Sequence, residues 1–130
     1  MRKPLIAGNW KMNGSAELIE TFGRAFAETD LASSVDVVIH PPFPYLDAAR
    51  RAFADTFVGL GAQTLNPLHS GARTGEVSGQ MLSEFGVEYV LVGHSERRQL
   101  YHESDEQVYE RVIAALGAGL KPILCVGETL

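Results

Sequence analysis

The 130-residue sequence is poor in several features, and each scarcity excludes a class of protein. The single cysteine, Cys125, has no partner for an internal disulfide, so a disulfide-stapled scaffold is excluded and a reducing compartment is expected. Lys and Arg number 11 against 16 Asp and Glu, and they form no basic stripe for nucleic acid. No apolar run approaches the roughly 18 residues of a membrane span. We therefore expect a cytoplasmic protein that binds neither nucleic acid nor membrane.

Two motif classes are also missing. No GxGxxG follows the first apolar run, which argues against a dinucleotide-binding sheet. His40, His69 and His102 show no metal-ligand spacing, and we interpret all three as structural. The sequence therefore predicts no metal site.

What the sequence does contain is a series of short apolar runs separated by helical periodicity. The runs are near-continuous, which is typical of parallel strands covered on both faces. They cover residues 5–10, 35–40, 56–62, 88–93 and 121–127. We predict an α/β domain over residues 1–130, with about four strand–helix units and a fifth strand.

The segments between the runs carry helix signals. Ser15 can cap a first helix, and Ser104 and Gln107 have the spacing of a capping box. That last helix has an apolar side made of Val108, Val112, Ile113 and Leu116. Both an open doubly wound sheet and an arc of a barrel fit this order. The missing glycine-rich loop favours the barrel arc.

Polar residues follow two of the predicted strands. In a parallel α/β fold, functional side chains collect at these strand ends. Lys11 lies just after the first strand and can bind an anion, although a solvated loop lysine is the plain alternative. His94 follows the fourth strand. We expect Ser95 to cap a short helix, which would leave His94 uncharged beside the positive helix start. The alternative is a histidine that only binds backbone.

Other polar positions are assigned more conventional roles. Residues 63–79 form a long connection, which favours a functional or interfacial loop over a floppy one. Arg97 and Arg98 are predicted to pair with carboxylates. Glu128 can serve as a base, but a structural carboxylate is favoured. Cys125 is predicted to be a buried small hydrophobe.

Five motifs in order resemble one family. The sequence reads GNWKMN at 8–13, PPFPYL at 41–46, GARTGEVS at 71–78, GHSERR at 93–98 and ILCVGE at 123–128. Together they resemble the triosephosphate isomerases. The resemblance implies a (β/α)8 barrel that interconverts dihydroxyacetone phosphate and glyceraldehyde 3-phosphate without a cofactor. It makes an unrelated phosphosugar-binding domain a poor alternative.

The resemblance also implies roles for individual residues. Asn9 and Lys11 would contact the substrate, with Lys11 offsetting the charge of the phosphate and the enediolate. His94 would be the uncharged group that polarises the carbonyl and transfers a proton. Ser95 would support the start of the short helix, and Glu96 would position Lys11.

Further residues match supporting positions of the family. Thr74, Gly75 and Glu76 lie in the segment that resembles a loop inserted into a partner subunit. Glu103 and Arg97 resemble a buried ion pair. Glu128 matches a carboxylate that helps a mobile lid. A homo-oligomer, or assembly with a C-terminal half-barrel, is therefore expected.

The 130 residues depart from the family pattern in length. Family barrels have about 250 residues, and the family's glutamate base lies in a motif like YEPVWAIGTG after a sixth strand. That motif is not in this sequence. We therefore expect the isolated chain to be inactive, because it lacks this base and the phosphate loops. The alternative is a non-catalytic half-barrel that self-associates through its open strand edges.

Overall fold

The computed structural model describes residues 1–29 and 34–129, and its framework is one five-stranded parallel sheet. Each predicted apolar run overlaps a strand, and the fourth strand begins one residue before its run. The strands are β1 (Leu5–Asn9), β2 (Asp36–His40), β3 (Val58–Ala62), β4 (Val87–Val92) and β5 (Lys121–Leu124).

Helices connect the strands, as the periodicity predicts. They are α1 (Ala16–Ala27), α2 (Leu46–Ala52), α3 (Gly79–Glu84), α4 (Ser95–Leu100) and α5 (Asp105–Gly117), with a 3-10 turn at Phe43–Tyr45. Ser15 caps α1, with its side chain accepting from the Leu18 N–H at 3.0 Å. Ser104 and Gln107 form the predicted capping box of α5. These local signals act within a single turn, which is why the sequence reveals them.

The strand order distinguishes the two architectures that the sequence leaves open. The order is β1-β2-β3-β4-β5, and every neighbouring pair is parallel. A doubly wound sheet reverses its strand order at a switch point. No reversal occurs among the described strands, so the arrangement is the one expected for an arc of a barrel.

The fifth strand is shorter than predicted. The sequence predicts residues 121–127, whereas β5 ends at Leu124, which pairs with Val92. Beyond Val92 the neighbouring strand turns away, because Gly93 has a φ of +72°. The Cys125 N–H still donates to the Val92 carbonyl, but residues 126–129 have no strand partner among the described residues.

Two groups of buried apolar side chains lie between the sheet and its helices. One includes Ile19 of α1, Ala49 of α2 and Leu60 of β3. The other includes Leu82 of α3 and Val108 of α5, together with β4 residues. Parallel strands contribute to both groups, in keeping with burial by crossover helices.

The apolar side predicted for α5 is wrong in part. Val108 is buried, and Val112 packs against the same group. Ile113 and Leu116 are half exposed, at 50% and 58%, while Arg111 and Ala115 turn inward instead. Ala115 fits where the helix approaches the sheet, and Arg111 enters because it meets a buried carboxylate. Hydrophobicity alone does not distinguish these positions.

Among the helices that the structure describes, none combines the length and the apolar composition of a membrane span.

A matched pair of helical leucines tests the assignment of the core. Leu82 of α3 is 1% exposed, so Leu82→Ala should lower the free energy of unfolding by ~2–5 kcal/mol through lost burial and a cavity. Leu116→Ala, on the exposed side of α5, should change it by less than ~1 kcal/mol. Urea unfolding followed by circular dichroism measures both. Equal losses would show that the two leucines have similar surroundings.

Candidate functional site

The candidate site lies at the edge where the strands end. Asn9 is the last residue of β1, Gln63 follows β3, and His94 follows β4 by two residues. Parallel pairing in chain order brings these ends together. A cavity of about 520 Å³ is lined by Asn9, Lys11, Gln63, His94 and Glu96, among other residues.

Lys11 is held by contacts at both its backbone and its side chain. Its N–H donates to Asn9 Oδ1 at 2.9 Å, and its carbonyl accepts from Gln63 Nε2 at 2.9 Å. Its φ is +54°, a left-handed conformation that costs a side-chain-bearing residue energy. These contacts compensate for that cost and place the ammonium 2.8 Å from Glu96 Oε1.

The Lys11–Glu96 pair sets the charge of this part of the cavity. The hydrogen bond from the Lys11 ammonium lowers the pKa of the Glu96 carboxyl below its ordinary value of 4.5. Partial desolvation opposes this shift, and the positive charge of Lys11 reinforces it. At neutral pH the cavity therefore contains an ammonium partly neutralised by one carboxylate. Both side chains stay about half exposed, so an incoming anion can still reach the ammonium.

His94 caps the short helix α4. Its Nδ1 accepts from the Glu96 N–H at 3.1 Å. A ring nitrogen that accepts a hydrogen bond carries no proton, so the proton of the uncharged ring is on Nε2. In the uncharged ring this contact leaves Nε2 as the nitrogen that can donate.

The prediction that Ser95 caps this helix is wrong. Ser95 is the first helical residue and is exposed, whereas His94 occupies the capping position. The imidazole nitrogen supplies the acceptor that a serine hydroxyl normally provides. His94 is thereby held by the helix that it starts, which the serine preference concealed.

A second cavity, of about 640 Å³, shares His94 with the first. It is lined in part by His94, Ser95, Arg98, Cys125 and Glu128. Cys125 is half-buried rather than fully buried, and burial raises the pKa of its thiol. The structure therefore places Asn9, Lys11 and Glu96 in one cavity with His94, and Ser95 and Glu128 in the other.

A buried group of charged side chains stabilises the position of α4. Arg97 Nε donates to Glu103 Oε2, and Arg111 Nη2 lies 4.0 Å from the same oxygen. The Glu103 side chain is only 4% exposed. Arg98 pairs with Asp105 at 2.6 Å, so both arginines meet carboxylates. Burying the Glu103 carboxylate is tolerable because two guanidinium groups compensate for its charge.

The long connection has a closed base and an exposed tip. Asn66 and Ser78 form a bridge, and the Asn66 N–H donates to the Val77 carbonyl at 2.8 Å. Asn66 Nδ2 also donates to Glu76 Oε1 at 3.0 Å. Thr74 and Gly75 are exposed, and none of the three predicted interface residues lines the cavity around Lys11. The loop therefore presents its tip outward.

Gln63 is a site residue that the sequence reasoning missed. Its one amide donates to the carbonyls of Lys11 and His40, at 2.9 and 2.8 Å. A signal was present, because a polar residue directly follows β3 at the edge where Asn9 ends β1 and His94 follows β4. Tyr101, which also lines the cavity, has no comparable signal.

Within residues 1–29 and 34–129, no three His, Cys, Asp or Glu side chains are grouped so that they could hold a metal ion.

The known proteins to which this chain is similar belong to one family. The family model described as triosephosphate isomerase matches residues 4–130. A triosephosphate isomerase of Chromohalobacter salexigens is 75% identical over 130 residues, covering 100% of this chain and 52% of the relative. That of Alkalilimnicola ehrlichii is 57% identical over 131 residues, with the same coverage. The chain thus spans about half the length of the curated relatives it matches.

A solved structure shows the same fold. The crystal structure of triosephosphate isomerase from Bartonella henselae superposes with a TM-score of 0.91 at 41% identity. The match covers 98% of this chain and 53% of that chain. The five strands and their helices are therefore about half of a TIM barrel, as the sequence predicts.

The Lys11–Glu96 pair makes a prediction about titration. Lys11→Met should raise the pKa of Glu96 toward its ordinary value, because the ammonium is the main cause of the lowering. In the unmodified chain the pair stabilises the fold above pH 4.5, and this contribution is lost as pH falls through the lowered pKa. Carboxyl ¹³C chemical shifts measure the change. Lys3→Met, which removes a lysine 3.0 Å from Asp36, is the matched control and should leave Glu96 unchanged.

A second pair of variants tests the buried charges. Glu103→Gln should lower the free energy of unfolding by ~3–5 kcal/mol, because it leaves guanidinium charge without its buried partner. Asp105→Asn breaks an ion pair whose carboxylate is exposed and should cost no more than ~1 kcal/mol. Thermal and urea unfolding measure both. A Glu103→Gln variant as stable as the unmodified chain would contradict the role given to this carboxylate.

Proposed function

Because this chain belongs to the triosephosphate isomerase family, a family of isomerases, we propose that it supplies one part of the site that interconverts dihydroxyacetone phosphate and glyceraldehyde 3-phosphate. The observation that carries this proposal is the cavity in which Lys11, Glu96 and His94 meet. A triose phosphate, an anion with a carbonyl group, fits a cavity with an ammonium and an uncharged imidazole donor.

The reaction moves one proton between neighbouring carbons and one between their oxygens. A base removes the proton from the carbon beside the carbonyl, and negative charge moves to the carbonyl oxygen as the enediolate forms. His94 donates its Nε2 proton toward that oxygen, an assignment supported by the hydrogen bond that Nδ1 accepts. Lys11 stabilises the developing charge, and Asn9, which binds the Lys11 N–H, contacts the substrate.

Supporting roles follow from position. We assign Glu96 to orienting Lys11, and Ser95 to the first turn of α4. We assign Thr74 and Gly75 at the exposed loop tip, and Glu76 beside them, to contact with a partner subunit. The partner is a second copy of the chain or a C-terminal half-barrel. We further propose that residues 1–130 form one partial barrel domain, and that the reaction needs no cofactor and takes place in the cytoplasm.

The base is the component that these residues do not supply. Among the described residues, Glu96 is the carboxylate that lines the cavity of Lys11, and it is already paired with that ammonium. Glu128 lines the other cavity and fits the role of a supporting carboxylate. A missing general base typically costs about 10²–10⁴ in rate. We therefore propose that the 130 residues alone are inactive and depend on residues of a second half.

Reconstitution tests this proposal. The chain is assayed for isomerisation of glyceraldehyde 3-phosphate alone, and after mixing with the second half of the Chromohalobacter salexigens relative. We expect activity only in the mixture, and His94→Gln in the chain should lower it at least about 10²-fold. Lys11→Met should abolish it, whereas Lys3→Met, at the opposite end of the strands, should not.

Two outcomes would contradict the proposal. Activity of the chain alone that is lost on His94→Gln would place a sufficient base within these residues. A folded mixture that binds but never isomerises would favour the alternative of a non-catalytic half-barrel.

A further inference from the structure

Contacts from three strands converge on His40 at the end of β2. Its side chain is completely buried, and its Nδ1 lies 2.8 Å from the Ala62 carbonyl oxygen. Its own carbonyl accepts from the Trp10 N–H at 3.1 Å and from Gln63 Nε2 at 2.8 Å. One residue thus connects the ends of β1, β2 and β3.

Ordinary sheet bonding stops at this point. The pairing of β2 with β3 ends at Ile39 and Leu60. Pro41 and Pro42 come next, and proline has no N–H to donate. Beyond Ile39 the connection between these strands therefore depends on the His40 ring and the Gln63 amide.

The His40 ring and Gly61 share one space. A Cβ on Gly61 would lie 2.1 Å from Cε1 of the ring and 2.3 Å from Nδ1. Gly61 belongs to β3, so any larger residue there would clash with the ring. The imidazole lies directly against the backbone of β3.

We propose that His40 is a positioning residue for Lys11. Its ring fixes the end of β2, and so fixes the carbonyl that orients the Gln63 amide. The same amide donates to the Lys11 carbonyl at 2.9 Å. The left-handed backbone of Lys11 is thereby supported through His40.

This positioning requires an uncharged ring. Since Nδ1 donates to the Ala62 carbonyl, Nε2 is the acceptor nitrogen of the neutral ring. Nε2 is buried and has no hydrogen-bond partner among the described residues. A proton added there would create a buried cation with an unpaired donor. Burial accordingly lowers the pKa of His40, and the bond to Ala62 opposes the shift.

Among the described residues that contact His40, none offers a compensating charge. β1 with the residue after it contributes Asn9 and Trp10, and β3 with the residue after it contributes Gly61, Ala62 and Gln63. None of these side chains titrates in the physiological range. The charged groups of the connected segment, Lys11 and Glu96, pair with each other.

The sign of the pH dependence follows. Because the folded chain resists protonation of His40, the unfolded chain takes up this proton first as pH falls. Stability is unaffected by His40 well above pH ~6.5, the unfolded value, and falls below it. One such proton raises the unfolding equilibrium constant by at most about tenfold per pH unit.

The effect of this positioning on catalysis rests on the proposed function of Lys11. The experiments below monitor folding and amide signals, so they can fail or succeed independently of isomerase activity.

The first experiment is urea unfolding of the chain between pH 5 and 8. The unmodified chain should lose stability below pH ~6.5 at up to about tenfold per pH unit in the unfolding constant. His40→Asn should lose this component, since an amide can donate to the Ala62 carbonyl and does not titrate. His69→Asn, at an exposed histidine, is the matched control and should behave like the unmodified chain. An unchanged pH dependence in His40→Asn would overturn the proposal.

The second experiment separates positioning from general stability. In ¹⁵N NMR spectra, the amides of Trp10 and Lys11 should shift in acid with the midpoint of the His40 ring. These shifts should disappear in His40→Asn. A ring that titrates while both amides stay unchanged would show that His40 does not position this segment.

A double-mutant cycle guards against a variant that fails to fold. Gly61→Ala should displace the Trp10 and Lys11 amide signals and lower stability, because the new Cβ meets the ring. In the His40→Ala background the same substitution should have little effect. Additive effects of the two substitutions would contradict the shared space, and with it the proposal.

Discussion

Parallel hydrogen bonding between strands in chain order is the constraint on which the rest of this structure depends. Because each strand pairs with the one before it, the ends of β1, β3 and β4 reach one edge. Residues 54 and 31 positions apart along the chain, at 9, 63 and 94, thereby line one cavity. The helices cover a face of the sheet, not this edge. The strand ends are therefore available for polar side chains.

At that edge, backbone and side-chain contacts fix the positions of the Lys11 ammonium and the His94 ring. The chain has a net charge of -5, yet the cavity presents an ammonium. Lys11 keeps a left-handed conformation because Asn9 and Gln63 bind its N–H and carbonyl. His94 is oriented by the helix that it caps, and this contact assigns its proton to Nε2. A local attraction for anions can thus exist in an acidic chain.

Buried polar groups contribute to this arrangement at two places. Glu103 lies under α4 with Arg97 and Arg111, and His40 lies at the end of β2. At Glu103 the buried negative charge is balanced by guanidinium groups, whereas at His40 the buried ring is uncharged. Each fixes a segment that carries a cavity residue. Burying polar groups lowers stability unless they have hydrogen-bond or charge partners. The position of each segment therefore depends on the fold around it.

The sequence by itself determined the elements and the edge where side chains of the site collect. Apolar runs, capping residues and strand-end polar residues act over a few positions, so the five strands, the capping box at Ser104 and the placement of Lys11 and His94 could be predicted. Only the tertiary structure decided that His94 rather than Ser95 caps α4, that Arg111 turns inward while Leu116 faces outward, and that Gln63 and His40 support Lys11. These outcomes depend on which distant groups meet across the sheet, and contacts between residues far apart in sequence leave no local pattern.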